Sequence, residues 1–455
     1  MKIYFKIIII ACSIGGCISC EELIETDYPT NQIGTDQVFE NANTAYSALN
    51  HLYSEIRNSS FFSGTEIGAG ILFGIYTDEL DCYLNDQNGL RDLSLNQTIS
   101  SNSVVYSVWR NAYKQIYIAN TILQGLDDSA NIEESARNQI KGETLFLRSY
   151  IYFYLQQVYG SIPYTTKTDY DYNRTLEKIE PTILLETISI DLLEAISLLE
   201  EEYRDSERIY VNKKTAELLL AKVSLTLGDY QNTEILLNSI LTSSLYSFQN
   251  DLNEVFHKDS PHIFWQLQTI ALDFPTWECI YFYFDDAPPH SYALTNDLVD
   301  SFEDIDLRKS NWIEPVIVGD QIWYRPNKYK NIGVNPNEYS VIFRLEEAYF
   351  LMAETLWKQN RIQEALPFLN ASRQRAGLPP FTDTSTTNFE IELRKEKRRE
   401  FFTEVGHRFI DLKRWEKLNI LSGTKPNWTE NSKLWPIPLD EILLNPNLNP
   451  QNDGY

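Results

Sequence analysis

The chain has 455 residues, of which 13% are aromatic, and it carries a formal net charge of −25 at pH 7. This length exceeds one ordinary hydrophobic core, so one large unit or two intimately packed units are expected. The negative charge argues against nucleic acid and against electrostatic docking on anionic lipid, because both need a positively charged protein surface.

The first twenty residues have the pattern of an export signal. Lys2 and Lys6 flank an apolar run that is too short to span a bilayer, and small residues precede Cys17 and Cys20. This arrangement resembles a bacterial lipoprotein signal, in which a cysteine becomes the lipidated first residue of the mature chain. We expect a signal peptide over residues 1–19 and lipidation of Cys20, with Cys17 as the alternative. The lipid would then be the only membrane anchor.

Residues 20–36 are polar and contain Pro29 and Gly34, which predicts an extended tether. Apolar residues at helical spacing then predict four helices. These are expected from about Ala45 to Ile56, from Tyr106 to Leu126, over residues 131–159 and over residues 183–199. The aromatic residues from Tyr150 to Tyr154 lie inside the third helix, so we assign them to core packing.

Two later stretches share one spacing of small residues around a polar turn. One runs from Ala221 through Gly228 to Thr233, and the other starts at Ala353 and reaches Ala365. The spacing is typical of a tetratricopeptide helix pair, in which small residues allow two antiparallel helices to cross closely. The alternative is two unrelated helical hairpins.

Residues 246–340 have a different composition, with many prolines and aromatic residues. Gly319 and Asp320 separate two short apolar runs, which predicts a β-hairpin with a two-residue turn. We therefore expect an insert of irregular loops with a little sheet. Long structured loops on a rigid scaffold are where binding sites usually occur.

Several segments in chain order carry a family resemblance. They are Cys20 to Pro29, Arg148 to Pro163, Phe343 to Gly377, Arg398 to Phe401, Gly406 to Trp415 and Pro436 to Tyr455. Together they resemble the SusD/RagB family, the outer-membrane nutrient-uptake lipoproteins of Bacteroidetes-type bacteria. One departure is Asp453, where the family usually has proline.

The resemblance implies a mainly α fold, with a tetratricopeptide-like scaffold of helical pairs and a loop-rich insert containing a little β-hairpin. It divides the chain into a SusD-like N-terminal helical part (37–245), a ligand-binding insert (246–340) and a RagB/SusD-like C-terminal helical part (341–455). It also implies a role at the outer membrane, as the lid of a SusC-like TonB-dependent transporter that captures oligosaccharide or another nutrient.

No enzyme motif stands out in the sequence. The five histidines show no metal-ligand spacing, and neither a phosphate-binding glycine loop nor a nucleophile elbow occurs. His407 and Asp411 are four residues apart on a predicted helix and could act as a base and its orienting group. The stronger interpretation is structural, with Asp411, Arg408 and Arg414 in ion pairs. We predict no catalysis, no cofactor and no metal.

Sugar rings have an apolar face and a belt of hydroxyl groups, so aromatic platforms beside polar side chains are typical of their binding sites. Two stretches offer both kinds of residue. The first contains Tyr76, Asp78, Asp81, Tyr83 and Arg91, and the second contains Trp277, Tyr281, Tyr283, Trp312, Trp323 and Tyr324. Tyr281 and Tyr283 would share a face if they lay on a strand. The alternative for each aromatic residue is packing in a local core.

Beyond Cys20, two cysteines follow the signal, Cys82 and Cys279. They are expected either to form one disulfide in an oxidising compartment or to remain free thiols. Two other functions stay open beside nutrient binding. One is a lipid-anchored extracellular glycan hydrolase, and the other is a helical-repeat envelope adaptor without a small ligand.

Overall fold

The computed structural model describes residues 35–84 and 89–455. The predicted signal peptide, Cys20 and nearly all of the tether lie outside the described residues. The described part is mainly α-helical with a few short strands, which confirms the predicted fold class. Within it, no helix has both the length and the apolar character needed to cross a membrane.

The α-helices of the described part are numbered here in chain order. They are α1 (Thr35–Val38), α2 (Ala42–Ser59), α3 (Ala69–Tyr76), α4 (Leu90–Ser94), α5 (Ser103–Asp128), α6 (Glu134–Tyr159), α7 (Tyr170–Asn173), α8 (Pro181–Leu198), α9 (Lys213–Leu227), α10 (Tyr230–Leu241), α11 (Trp277–Phe282), α12 (Asn296–Asp300), α13 (Leu307–Trp312), α14 (Leu345–Lys358), α15 (Ile362–Arg375), α16 (Thr386–Phe401), α17 (His407–Arg414) and α18 (Leu439–Leu444). Short 3-10 helices span Leu418–Gly423, Glu430–Lys433 and Pro446–Leu448.

The strands form three antiparallel two-stranded sheets in the described part of the chain. The strands are β1 (Leu80–Cys82), β2 (Ile263–Leu267), β3 (Tyr292–Leu294), β4 (Ile313–Val318), β5 (Gln321–Pro326) and β6 (Ser340–Arg344). β1 pairs with β3, β2 with β6, and β4 with β5. The predicted hairpin is confirmed, because β4 and β5 are joined by the two residues Gly319 and Asp320.

The four predicted helices correspond to α2, α5, α6 and α8, with small differences at their ends. α6 begins at Glu134, three residues later than predicted, because the residues before it form a turn held by side-chain contacts. The Ser129 hydroxyl donates to the Phe39 carbonyl and accepts from the Asn131 N–H. α8 begins at Pro181, a residue favoured at the first helical position because its missing N–H costs nothing there.

The two predicted helical hairpins are α9 with α10 and α14 with α15. Their small residues Ala221, Thr233, Ala353 and Ala365 are completely buried, as close helix crossing requires. A left-handed Gly228 ends α9, and the Asp229 side chain caps α10. α10 also packs against α14, so the two hairpins are neighbours although the insert separates them in the chain.

The aromatic residues of α6 form the centre of the core, as predicted. Tyr150 is fully buried, and its ring lies 4.3 Å from that of Phe62 and 5.0 Å from that of Phe343, between ring centroids. The Tyr154 hydroxyl donates to the Val405 carbonyl at 2.7 Å. These contacts join the N-terminal helices, β6 and the C-terminal helices into one hydrophobic core.

A cluster of buried charges ties the insert to the C-terminal helices, and we call it the buried ion cluster. Its members are Asp306, Arg308, Lys328, Arg344, Glu346, Arg375, Glu396, Glu400 and Glu404. Glu400 is at the centre, with Arg344 Nη1 at 2.7 Å and Arg308 Nη1 at 3.1 Å from its carboxylate. Burial raises the pKa of Glu400, but the surrounding guanidinium groups, that of Arg375 foremost, hold it well below its ordinary value.

The helix α17 confirms the structural interpretation of the His407 region. Asp411 lies 2.8 Å from Lys397 and 2.7 Å from Arg414, so its carboxylate is paired with two cations. The His407 ring is stacked on Phe401 with 4.3 Å between centroids. Burial lowers the pKa of His407 well below its ordinary value, and nearby cations lower it further.

Candidate functional site

The short sheet of β1 and β3 brings the two predicted binding stretches together. Tyr83 follows β1, and its backbone N–H donates to the Ser291 carbonyl at 2.8 Å. The Ser291 hydroxyl in turn donates to the Tyr281 carbonyl at 3.1 Å. β5 packs beside β3, which places the β4–β5 hairpin at the same region.

Trp323 lies beside Tyr83 in this region. Burial and the charge of Asp81 raise the pKa of Tyr83, and the neighbouring Trp323 side chain lowers it. Trp323 is opposite Val316 in the hairpin, and it packs on a small cluster formed by Val316, Phe284 and Ala293. Trp323 is half-buried and Tyr83 is 37% exposed, so both aromatic residues present part of their surface to solvent.

Tyr281 and Tyr283 do not share the face of a strand, because residues 277–282 form the helix α11. The Thr276 side chain caps this helix by accepting the Cys279 N–H at 3.2 Å. The helical turn instead places Trp277 beside Tyr281, with 5.9 Å between ring centroids. Tyr283 is the first residue after the helix and is 36% exposed.

Arg325 is a member of this site that sequence reasoning missed. Its guanidinium lies 4.3 Å from the centroid of the Tyr283 ring, and it also donates to the Phe284 carbonyl. Cation–π stacking of this kind holds the ring in a fixed orientation. The sequence could have indicated Arg325, because side chains alternate between the two faces of a strand and Arg325 lies two positions after Trp323 on β5.

We call Tyr83, Trp277, Tyr281, Tyr283 and Trp323 the aromatic platform. All five are half-buried or exposed, and they lie on adjoining segments. Such rings can stack on the apolar face of a sugar at low entropic cost.

Polar groups surround the platform. Asp81 is exposed on β1, and the Tyr283 hydroxyl donates to Asp285 at 3.3 Å. Arg91 is exposed on α4, which packs beside β1. Carboxylates and guanidinium groups of this kind recognise sugar hydroxyl groups through hydrogen bonds. Asp81 lies near Tyr83, and Arg91 lies on a helix beside the same strand.

Four of the residues that the sequence singled out lie elsewhere. Tyr76 and Trp312 are buried, and each donates a hydrogen bond to a backbone carbonyl, Tyr76 to Ser432 at 2.9 Å and Trp312 to Leu252 at 3.0 Å. Their rings fill the core and offer no surface to solvent. Tyr324 is on the opposite face of the hairpin from Trp323 and packs against the main core.

Asp78, the fourth, is a buried partner of two arginines. Arg408 donates to both of its carboxylate oxygens, at 2.9 and 2.7 Å, and Arg398 lies 3.2 Å away. Burial raises the pKa of Asp78, but Arg408 and Arg398 lower it to about 2. Asp78 therefore holds α17 and α16 against the start of β1.

We expect Asp78→Asn to lower the free energy of unfolding by about 3 kcal/mol at pH 7, because it leaves the buried guanidinium of Arg408 without its carboxylate. The folded pKa of Asp78 lies below its ordinary value of 3.8. The stabilisation is therefore present above about pH 4 and is lost as the pH falls toward 2. Urea unfolding at several pH values should show the difference between the two proteins shrinking over this range.

Asp297→Asn is the matched control for this prediction. Asp297 also pairs with Arg398, at 2.7 Å, but its side chain is 54% exposed. An exposed pair contributes little, so this variant should unfold almost like the unmodified protein. Equal losses in the two variants would contradict the role assigned to Asp78.

The two cysteines do not form a disulfide. Cys82 is half-buried on β1 and Cys279 is buried in α11, and their sulfur atoms are not bonded to each other. Burial raises the pKa of Cys279 to about 12, so this thiol stays protonated and unreactive. Over the described ranges, no group of histidine, cysteine and carboxylate side chains is arranged to hold a metal ion.

Comparisons with known proteins agree with this architecture. Residues 76–225 match a SusD-like family model described as starch-binding and associating with the outer membrane, and residues 319–419 match the model of the SusD family. The SusD-like proteins P25 and P38 of Formosa agariphila are 25% and 24% identical to this chain. The first alignment covers 100% of both chains, and the second covers 98% of each.

Solved structures share the fold. A SusD superfamily protein from Bacteroides vulgatus aligns with a TM-score of 0.80 over 92% of this chain and 100% of its own, at 18% identity. A laminarin-binding SusD-like protein aligns with a TM-score of 0.75 over 91% of this chain and 99% of its own, at 21% identity. The fold, the full-length relatives and the two family models agree, and the chain belongs to the SusD/RagB family.

Proposed function

We propose that the protein is a non-catalytic nutrient-binding protein of the cell surface, with an oligosaccharide as its ligand. The observation that carries this proposal is the aromatic platform, in which partly exposed rings lie beside Asp81 and Arg325. The starch-binding description of the matched family and the laminarin-binding relative support a glycan as the ligand.

The protein would act at the outer membrane as the lid partner of a SusC-like TonB-dependent transporter. The family description, which places its members at the outer membrane, supports this setting. In this arrangement the lipid on Cys20 anchors the chain, the helical scaffold contacts the transporter, and the platform faces the ligand. The negative charge of the chain suits this role, since it gives solubility without attraction to anionic lipid.

Calorimetric titration of residues 21–455 with a broad panel of oligosaccharides, laminarin fragments included, tests the proposal. We expect saturable binding to at least one glycan, with no cleavage products after long incubation. Reproducible cleavage by the pure protein would instead favour a lipid-anchored glycan hydrolase. A blank panel, together with capture of envelope proteins other than a large β-barrel, would favour a helical-repeat adaptor.

Cys20→Ala should release the protein from the membrane fraction and impair nutrient uptake, because the anchoring lipid has no attachment site. Ligand affinity of the soluble domain should stay unchanged, since Cys20 precedes it. Fractionation of cells followed by immunoblotting measures the first effect. Cys17→Ala is the control. If Cys20→Ala remained anchored and Cys17→Ala lost its anchor, Cys17 would be the lipidated residue.

A further inference from the structure

A second concave surface lies on a different part of the molecule, and we call it the α5 groove. It has a volume of about 310 Å³ and is bounded by α5, by the segment 163–176 and by α18 with the residues after it. This volume is within the range of small-molecule binding sites. None of its lining residues belongs to the aromatic platform.

The floor of the groove is a stripe of aromatic rings along α5. Trp109, Tyr113 and Tyr117 are spaced four residues apart and so lie on one face of the helix. The Trp109 and Tyr113 rings are 4.8 Å apart, and the Tyr113 hydroxyl donates to the Pro163 carbonyl at 2.8 Å, which fixes the orientation of this ring. Tyr117 is 52% exposed, and across the groove Tyr170 is 71% exposed.

The rim of the groove is cationic in a strongly acidic protein. Arg110, Lys167 and Arg174 line it, and all three are exposed. The carboxylate among the described lining residues is Glu441; burial raises its pKa, and the neighbouring Trp109 side chain lowers it. Arg174 also lies 3.3 Å from Asp171, but both side chains are more than half exposed, and such a pair exchanges readily for a ligand anion.

Aromatic rings and cations together define the class of ligand. The exposed tyrosines offer flat apolar surfaces to the C–H face of a sugar ring. Lysine and arginine bind carboxylate or sulfate groups through charge-assisted hydrogen bonds, and arginine does so with two parallel bonds. A neutral sugar would use only the aromatic rings, whereas an acidic sugar uses the rings and the cationic rim together.

We propose that the α5 groove is a second saccharide site, which binds a sugar ring carrying a carboxylate or sulfate group. Tyr117 and Tyr170 stack on the ring, and Lys167 and Arg174 bind its anionic group. This site extends the proposed glycan-binding function but does not depend on it, because it shares no residue with the platform.

Calorimetric titration with tetragalacturonate, with a sulfated oligosaccharide and with a neutral tetrasaccharide tests the proposal. We expect at least one acidic probe to bind, with an affinity that falls as salt is raised. The double variant Lys167→Gln/Arg174→Gln should weaken that binding about tenfold. Tyr170→Ala, at an exposed position where folding is not at risk, should weaken it by a similar factor.

The control is Lys358→Gln/Lys395→Gln, which makes the same change in net charge at two exposed lysines of α14 and α16. An equal loss in this control would show non-specific attraction and overturn the proposal, as would the absence of binding by both acidic probes. Trp323→Ala separates the two sites. It should leave acidic-sugar binding unchanged, and loss of that binding would place the acidic sugar on the platform and overturn the second site.

Discussion

Glu400→Gln is expected to lower the free energy of unfolding by about 3–5 kcal/mol, a large fraction of what holds an ordinary domain together. The variant keeps the shape of the side chain but removes the negative charge that faces three buried guanidinium groups. Arg344, Arg308 and Arg375 would then keep their positive charges in the interior with one carboxylate fewer. Each of these guanidinium groups loses a carboxylate that it contacts directly, and a desolvated charge with fewer partners is costly.

Urea unfolding followed by tryptophan fluorescence measures this loss. Glu364→Gln is the control, because it removes the same charge from an ion pair with Arg361 at the surface, and it should change stability little. Ser372→Ala gives an intermediate case, since it deletes the hydroxyl that donates to Glu400 at 2.7 Å and should cost about 1 kcal/mol. Equal stability of Glu400→Gln and Glu364→Gln would contradict the assigned role of the cluster.

Trp323→Ala is expected to weaken oligosaccharide binding by about 1–3 kcal/mol, which corresponds to roughly a fivefold to 150-fold loss of affinity. The indole is one of the two largest rings of the platform, and it lies beside Tyr83. Its removal therefore deletes one stacking surface and the neighbour of another. Titration with the glycan that the panel identifies measures the effect.

Ile322→Ala is the matched control for Trp323. Ile322 precedes it on β5, points to the opposite face of the hairpin and is 45% exposed. We expect unchanged affinity in this variant, because the hairpin remains folded and the platform is intact. If Trp323→Ala kept full affinity but lowered the melting temperature, Trp323 would belong to the local core around Phe284.

Local sequence patterns predicted those parts of the fold that local interactions determine. The spacing of apolar residues is sufficient to predict α5 and α6, because a helix packs through the residues that recur on one of its faces. The turn at Gly319 and Asp320 was equally clear, since a two-residue hairpin needs φ above zero and Gly319 supplies it with φ of 62°. Tyr281 lies on a helix and not on a strand because the Thr276 side chain caps the start of α11.

Features that depend on distant partners were not predictable in the same way. Arg308 and Glu400 are 92 residues apart in the chain, and no local pattern pairs them. Tyr76 and Trp312 have the same composition cues as Tyr83 and Trp323, yet their burial depends on helices far along the sequence. An aromatic residue in a loop-rich stretch can be buried in the core or exposed at the surface, and tertiary packing determines which of the two occurs.

The pairing of β2 with β6 affects which insertions and deletions this chain can accept during evolution. β2 lies early in the insert and β6 ends it, so their pairing, with the packing of α10 on α14, holds the two ends of the insert side by side. For such a closed loop, the entropic cost of added length is small, about 0.6 kcal/mol for each doubling. The exposed loops of the insert can therefore gain or lose residues while the helical pairs keep their stacking. Selection can in this way diversify the surface proposed to bind the ligand on an unchanged scaffold.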